Sequence, residues 1–94
     1  MLRPGGELRV YLYTGVMDMR KSIDGLSVFV EQGMDLSPFD SAVFVFANRA
    51  RDKVKLLLWE RNGFVLWYKR LEKQRFHWPA SRPDRGAVAV WYSL

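Results

Sequence analysis

The sequence predicts a small α+β domain: a mostly antiparallel sheet in the order β-α-β-β-β, a short further strand at the C-terminus, and one helix packed across one face. Three observations predict it. Asn62-Gly63 joins two runs rich in Val, Leu, Trp and Tyr inside the stretch from Phe46 to Pro79, which is the pattern of a β-hairpin. Met19, Ile23, Leu26 and Val30 recur at spacings of four, three and four, the stripe of an amphipathic helix. Ala42 to Ala47 (AVFVFA) is a continuous apolar run without alternation, which suits an interior strand covered on both sides.

Taken in order, residues 1–7, with Arg3-Pro4-Gly5-Gly6, form a flexible lead-in, and Arg9 to Tyr13 (RVYLY) is a short strand of β-forming residues. Thr14-Gly15 breaks it. The helix is expected from Met17 to Gln32, with Asp18 as N-cap and Gly33 as its stop, and Phe29 widens the apolar stripe. Gly25 inside the helix costs about 1 kcal/mol relative to alanine, so it is expected to mark close packing against a strand. Met34 to Asp40 is a loop containing Pro38, and Asn48 to Asp52 (NRARD) is a basic connection into the hairpin. Phe76-His77-Trp78-Pro79 is an aromatic cluster closed by proline, Ala80 to Gly86 is loop, and Ala87 to Leu94 (AVAVWYSL) is the short last strand. The whole chain, residues 1–94, reads as one domain.

With Asn62 and Gly63 at the turn, Arg61 is expected opposite Phe64, Trp59 opposite Leu66, Leu57 opposite Tyr68, and Lys55 opposite Arg70. The other face carries Val54, Leu56, Leu58 and Glu60 against Val65, Trp67, Lys69 and Leu71. The second face is the more apolar and is expected to be the core side. The first then leaves Trp59, Phe64 and Tyr68 outward, and sets like charges directly opposite one another at Lys55 and Arg70, which an anionic partner would relieve.

Charge carries the functional signal. Of a net +5, residues 1–48 hold four Lys and Arg against six Asp and Glu, whereas residues 49–94 hold eleven against four. A concentrated basic surface favours phosphate-bearing partners. Strand pairing gathers Arg49, Arg51, Lys53, Lys55, Lys69, Arg70, Lys73 and Arg75 at the open end of the hairpin and its flanks. Basic residues beside exposed aromatics suit DNA, with Trp59, Phe64 and Tyr68 available for stacking or for a protein interface. Arg20 and Lys21, read into the first helical turn, form a secondary anion site; the plainer reading pairs Arg20 with Asp24 and leaves Lys21 in water.

Several chemistries are not expected. Without cysteine there is no disulfide or thiolate site, and His77 is the lone histidine, so no metal and no cofactor are expected. The acidic residues are scattered at caps and turns rather than clustered to hold two metal ions, so intrinsic catalysis is not expected either. No apolar run approaches a membrane span, and residues 1–10 lack the apolar core of a signal peptide, so the expected setting is the cytoplasm without membrane contact.

The residues also carry a resemblance. Thr14-Gly15, Asp18-Met19-Arg20-Lys21, Asp24-Gly25-Leu26, Phe44-Val45-Phe46, Asn48-Arg49, Arg51-Asp52, Lys55, Trp59, Gly63-Phe64, Leu66 to Glu72 (LWYKRLE), Arg75-Phe76 and Trp78-Pro79 fall in an order specific to one family. From about residue 8 to residue 79 the chain resembles the small accessory proteins called TnpB, or Orf2, of the IS-sixty-six class of insertion sequences. They are unrelated to the RNA-guided nucleases of the same name. The resemblance implies a bacterial mobile-element protein encoded beside a larger transposase and needed for transposition, a form of DNA recombination. Family members usually continue past the Trp-Pro motif into a Leu-rich helical tail, whereas Asp84 to Leu94 follows a different pattern and reads as a shortened tail.

Together these readings give a non-catalytic accessory protein of insertion-sequence transposition that binds DNA at the element ends through its basic hairpin. The alternative is a protein-interaction module that docks on the transposase of the same element, or on a second copy of itself, through the aromatic hairpin face without touching DNA.

Overall fold

The computed structural model describes residues 7–79 and 87–93. Of the lead-in expected over 1–7, residues 1–6 lie outside the described residues, as does the loop expected over 80–86, whereas Glu7 already belongs to the first strand. The elements follow the order β1 (Glu7–Tyr13), α1 (Ile23–Gly33), β2 (Ala42–Ala47), β3 (Lys53–Glu60), β4 (Gly63–Arg70) and β5 (Ala87–Ser93). They build one five-stranded sheet in the order β4-β3-β2-β1-β5. β1 and β2 are parallel, joined by the crossover through α1, and every other pairing is antiparallel. The last strand is present and pairs along β1, with Val10 opposite Val90.

The apolar run of β2 occupies the centre of the sheet, and all six of its residues are buried. Its even-numbered residues Ala42, Phe44 and Phe46 face α1 and pack with Leu26, Val30, Met17 and Leu57; Val43 and Val45 face the other side with Val54. A strand buried on both faces has no use for alternation, which is why its sequence shows none. Aromatic rings knit the helix side: Tyr11 stacks on Phe44 at 5.5 Å, and Tyr13 meets Phe29 edge-on at 4.8 Å.

The helix is shorter than the sequence suggests, 11 residues rather than the span from Met17, and Ser22 rather than Asp18 is its N-cap. Asp18 is drawn away because its carboxylate accepts hydrogen bonds from the Arg20 backbone N–H at 2.9 Å and from the Arg20 guanidinium at 2.7–3.1 Å. Met17 to Ser22 is therefore loop, anchored where the Met17 N–H donates to the Ala47 carbonyl. Gly25 does not mark a strand contact: the atoms nearest to a Cβ there would be those of the Lys21 side chain, at 3.4 Å, about an ordinary van der Waals distance.

The hairpin register also differs by one residue at the turn. Glu60 pairs with Gly63, so Arg61 and Asn62 make the turn, with Arg61 at φ 56°. Trp59 then pairs with Phe64, Leu57 with Leu66, Lys55 with Tyr68, and Lys53 with Arg70. The same residues still share a face, because moving the turn by one residue shifts the pairing sum by two. What changes is which face is the core. Leu57 is fully buried and Phe64 and Leu66 pack with it under α1, whereas Leu56 and Leu58 are only partly buried on the other side. The expected assignment of faces is reversed because α1 reaches over β3 and β4, and the second face gets a different cover, Phe76 and Trp78.

Candidate nucleic-acid interface

Strand directions decide where the cations go. With β1 and β2 parallel and β3 and β4 antiparallel in turn, the ends of β1, β2 and β4 and the start of β3 lie at one edge of the sheet. The three connections that leave this edge are 14–22, 48–52 and 71–79. Together with the strand ends they carry Arg20, Lys21, Arg49, Arg51, Lys53, Lys55, Lys69, Arg70, Lys73 and Arg75, against Asp18, Asp52 and Glu72. All ten predicted cations therefore stand at one end of the molecule, including Arg20 and Lys21, which the linear sequence sets apart. At the opposite end, among the described residues of the α1 C-terminus, the following loop and the hairpin turn, Glu31, Asp35, Asp40 and Glu60 face a single cation, Arg61.

The ten fall into two kinds. One kind is committed to the fold. The Lys55 ammonium donates to the carbonyls of Met19 at 2.6 Å and Lys21 at 2.7 Å, clamping the loop before α1 onto β3, and lies 5.5 Å from the Tyr68 ring centre. Arg51, with φ 61°, donates from its guanidinium to the Trp78 carbonyl at 3.2 Å, and its own carbonyl accepts the Phe76 N–H at 2.7 Å. Trp78 in turn donates its indole N–H to the Tyr13 carbonyl at 2.9 Å. This chain of bonds folds 71–79 back across the second face of the sheet. Arg20 is folded onto Asp18, not Asp24, and lies before the N-cap rather than in the first turn.

Like charges do stand opposite one another at the open end, but at Lys53 and Arg70 rather than at Lys55 and Arg70. Each has an acidic neighbour: Lys53 lies 3.5 Å from Asp52, and Arg70 pairs with Glu72 at 2.8 Å. The second kind is uncommitted. Lys21, Arg49, Lys69, Lys73 and Arg75 are exposed and form no ion pair among the described residues.

Two carboxylates at this end, Asp18 and Asp52, are held ionised. Hydrogen bonds from the Arg20 side chain and then its backbone N–H pull the Asp18 carboxyl down to about 2. The Asn48 amide, bonded to Asp52 at 2.7 Å, lowers the Asp52 carboxyl, with Lys53 adding to the effect. The same Asn48 side chain accepts the Lys53 N–H at 3.0 Å, so one residue closes the turn between β2 and β3. The Glu72 hydrogen bond raises Arg70, which stays fully charged.

The three aromatics predicted for stacking or for a protein interface separate. Trp59 and Phe64 meet each other at 5.0 Å and both contact Phe39, at 5.0 and 5.4 Å, so they form a partly buried cluster at the acidic end. Tyr68 is 54% exposed and stands near the cations. Trp67, expected on the core side, is instead 67% exposed, and Phe39 is 57% exposed. The signal for Trp67 was weak because both faces of the hairpin are apolar; only its place in an edge strand, which follows from the sheet order, leaves it uncovered.

Among the described residues no group of His, Asp and Glu is arranged to hold a metal ion, and no helix is long and apolar enough to cross a membrane.

Comparison with known proteins gives the biological setting. The chain is 36% identical over 90 residues to the uncharacterized protein y4hO of Sinorhizobium fredii, covering 96% of this chain and 76% of that one. It is 29% identical over 79 residues to a second uncharacterized protein of the same organism, y4jC, covering 84% and 68%. No solved structure matches it significantly. The family model described as IS66 Orf2 like protein matches residues 8–92, past Pro79 and through β5, farther than the motif resemblance reached. The chain belongs to the IS66 Orf2-like family, the accessory proteins of insertion-sequence transposition.

Proposed function

We propose that the protein serves transposition by contacting DNA, without catalysis of its own, through the basic end of its sheet. The observation that carries this reading is the convergence of ten cations on one edge, six from three separate connections and four from the ends of β3 and β4, five of the ten exposed and without an ion pair among the described residues. Exposed cations so gathered repel one another, and a polyanion that neutralises them releases its own counterions in exchange. Lys21, Arg49, Lys69, Lys73 and Arg75 are the phosphate contacts. Lys53 and Arg70 add to the field beside them. Lys55 and Arg51 position the loops rather than reach the ligand. The DNA at the element ends is the target in this reading.

The experiment is fluorescence anisotropy of a labelled duplex carrying the terminal repeat, titrated with the protein at several salt concentrations beside a scrambled duplex. If five cations each neutralise one phosphate, the logarithm of affinity falls with the logarithm of salt at a slope of about −4 to −5. A slope near zero, or no binding at low salt by either duplex or by a single strand of the same sequence, would sink the reading.

A second reading draws on the opposite end. Phe39, exposed and packed edge-on against Trp59 and tilted against Phe64, is an apolar patch remote from the cations and suits a protein partner such as the transposase. Phe39→Ala should then release the transposase in a pull-down with purified proteins while leaving DNA affinity unchanged; retention of the transposase would remove the patch from the argument.

A further inference from the structure

We propose that the DNA taken at this end is unpaired, and that Trp67 is the ring on which its bases stack; the proposal rests on the DNA-contact reading above. Trp67 lies in β4, an edge of the sheet, opposite the partly buried Leu56, and shows two thirds of its surface to solvent. Two residues on, and so on the same face, Lys69 is exposed and has no ion pair among the described residues. Beyond it the chain turns through exposed Lys73 and Arg75 before Phe76 packs against Val43, Val45 and Val54 on that same face. A flat apolar ring thus heads a short track of cations.

The geometry favours a single strand over a duplex groove. A two-stranded ribbon that enters a major groove presents side chains from both strands. Here β3 is occupied on both faces: Leu57 is buried under α1, Val54 is buried on the other side, and Lys55 is bonded to loop carbonyls. That leaves β4, whose residues 67–70 are all exposed, as the strand better placed to reach a ligand. A duplex hides the faces of its bases, whereas an unpaired strand offers them, and an exposed indole beside cations is the feature that captures a base face and the adjoining phosphates.

The test compares a labelled single strand of mixed sequence with the same sequence as a duplex, by anisotropy at one salt concentration, using the wild-type chain, Trp67→Ala and Trp67→Phe. Far-UV circular dichroism checks that each variant folds, which the exposure of Trp67 leads us to expect. The single strand should bind more tightly than the duplex. Trp67→Ala should weaken single-strand binding by about five-fold to a hundred-fold, with duplex binding changed by less than about two-fold, and Trp67→Phe should restore most of the loss. Equal or tighter duplex binding, or an alanine variant that loses nothing, would overturn the proposal while leaving DNA contact standing. Failure to bind either probe would instead bring down the DNA reading itself. Sedimentation of the same samples supplies a further decision: a wild-type dimer that Trp67→Ala converts to monomer would reassign the ring to a contact between two copies and overturn the proposal.

Discussion

The two ends of the sheet are built by different means. At one end three connections meet and are held by polar bonds: Asp18 with Arg20, Asn48 with Asp52, Lys55 on two carbonyls, and Arg51 to Trp78 to Tyr13. At the other, the hairpin turns in two residues and is closed by the rings of Phe39, Trp59 and Phe64. The apolar end is stabilised directly by ring contacts and burial, with Phe39 left exposed at its rim. The polar end spends Lys55 and Arg51 on holding loops in place and keeps five other cations outward. The contrast separates the charges that belong to the architecture from those the fold leaves exposed.

The largest effect should come from reversing charge at one end only. Arg49→Glu, Lys69→Glu and Lys73→Glu together should lower DNA affinity about a hundred-fold or more at low salt, while Arg61→Glu at the opposite end leaves it nearly unchanged, as read by anisotropy. Equal losses from both variants would mean that only net charge matters and would erase the distinction between the ends.

Next in size is the cost of opening the aromatic end. Trp59→Ala should destabilise the fold by about 2–4 kcal/mol, below the full range for a core tryptophan because Trp59 is only partly buried. Urea denaturation measures it, and DNA affinity of the folded variant should stay at the wild-type value.

Lys55→Met should cost about 1–3 kcal/mol, since two carbonyls lose a charged donor. Amide exchange should quicken in residues 18–22 more than in β3. A uniform change across the sheet would show that Lys55 does not clamp the loop.

The smallest effect is acid sensitivity. Asp18 and Asp52 have folded values below their unfolded ones, so the stability they contribute is present above about pH 4 and is lost as pH falls through the folded values, about 2 for Asp18. Asp18 is exposed and Asp52 only partly buried, so solvent screening keeps the loss modest. Thermal melts taken from about pH 5 down to about pH 2 should show it, and the Asp18→Asn and Asp52→Asn variants should each flatten the dependence.

Much of this was legible in the sequence, for identifiable reasons. The stripe of Leu26 and Val30 and the unbroken run of β2 are patterns that burial itself imposes, and the β-forming residues of Ala87–Ser93 mark the last strand. The helix start was misread because Asp18 has the chemistry of an N-cap, and nothing local reveals that Arg20 captures it first. The Asn-Gly pair pointed to the hairpin but not to its register: positive φ falls on Arg61, while a Cβ at Gly63 would stand in open space. The core face of the hairpin could not be read from two apolar faces, since it depends on where α1 lies. The gathering of cations was foreseen for the hairpin. That Lys21 joins them follows only from the parallel pairing of β1 and β2, and that Lys55 is withdrawn from them follows only from the path of the loop before α1.

The most direct test of the account maps where DNA touches the folded protein. Backbone amide shifts followed by NMR during titration with a short DNA strand should change in residues 14–22, 48–55 and 67–78 and stay still around Phe39 and Trp59 to Phe64. Changes confined to Phe39 and the hairpin turn, with the basic end silent, would contradict it.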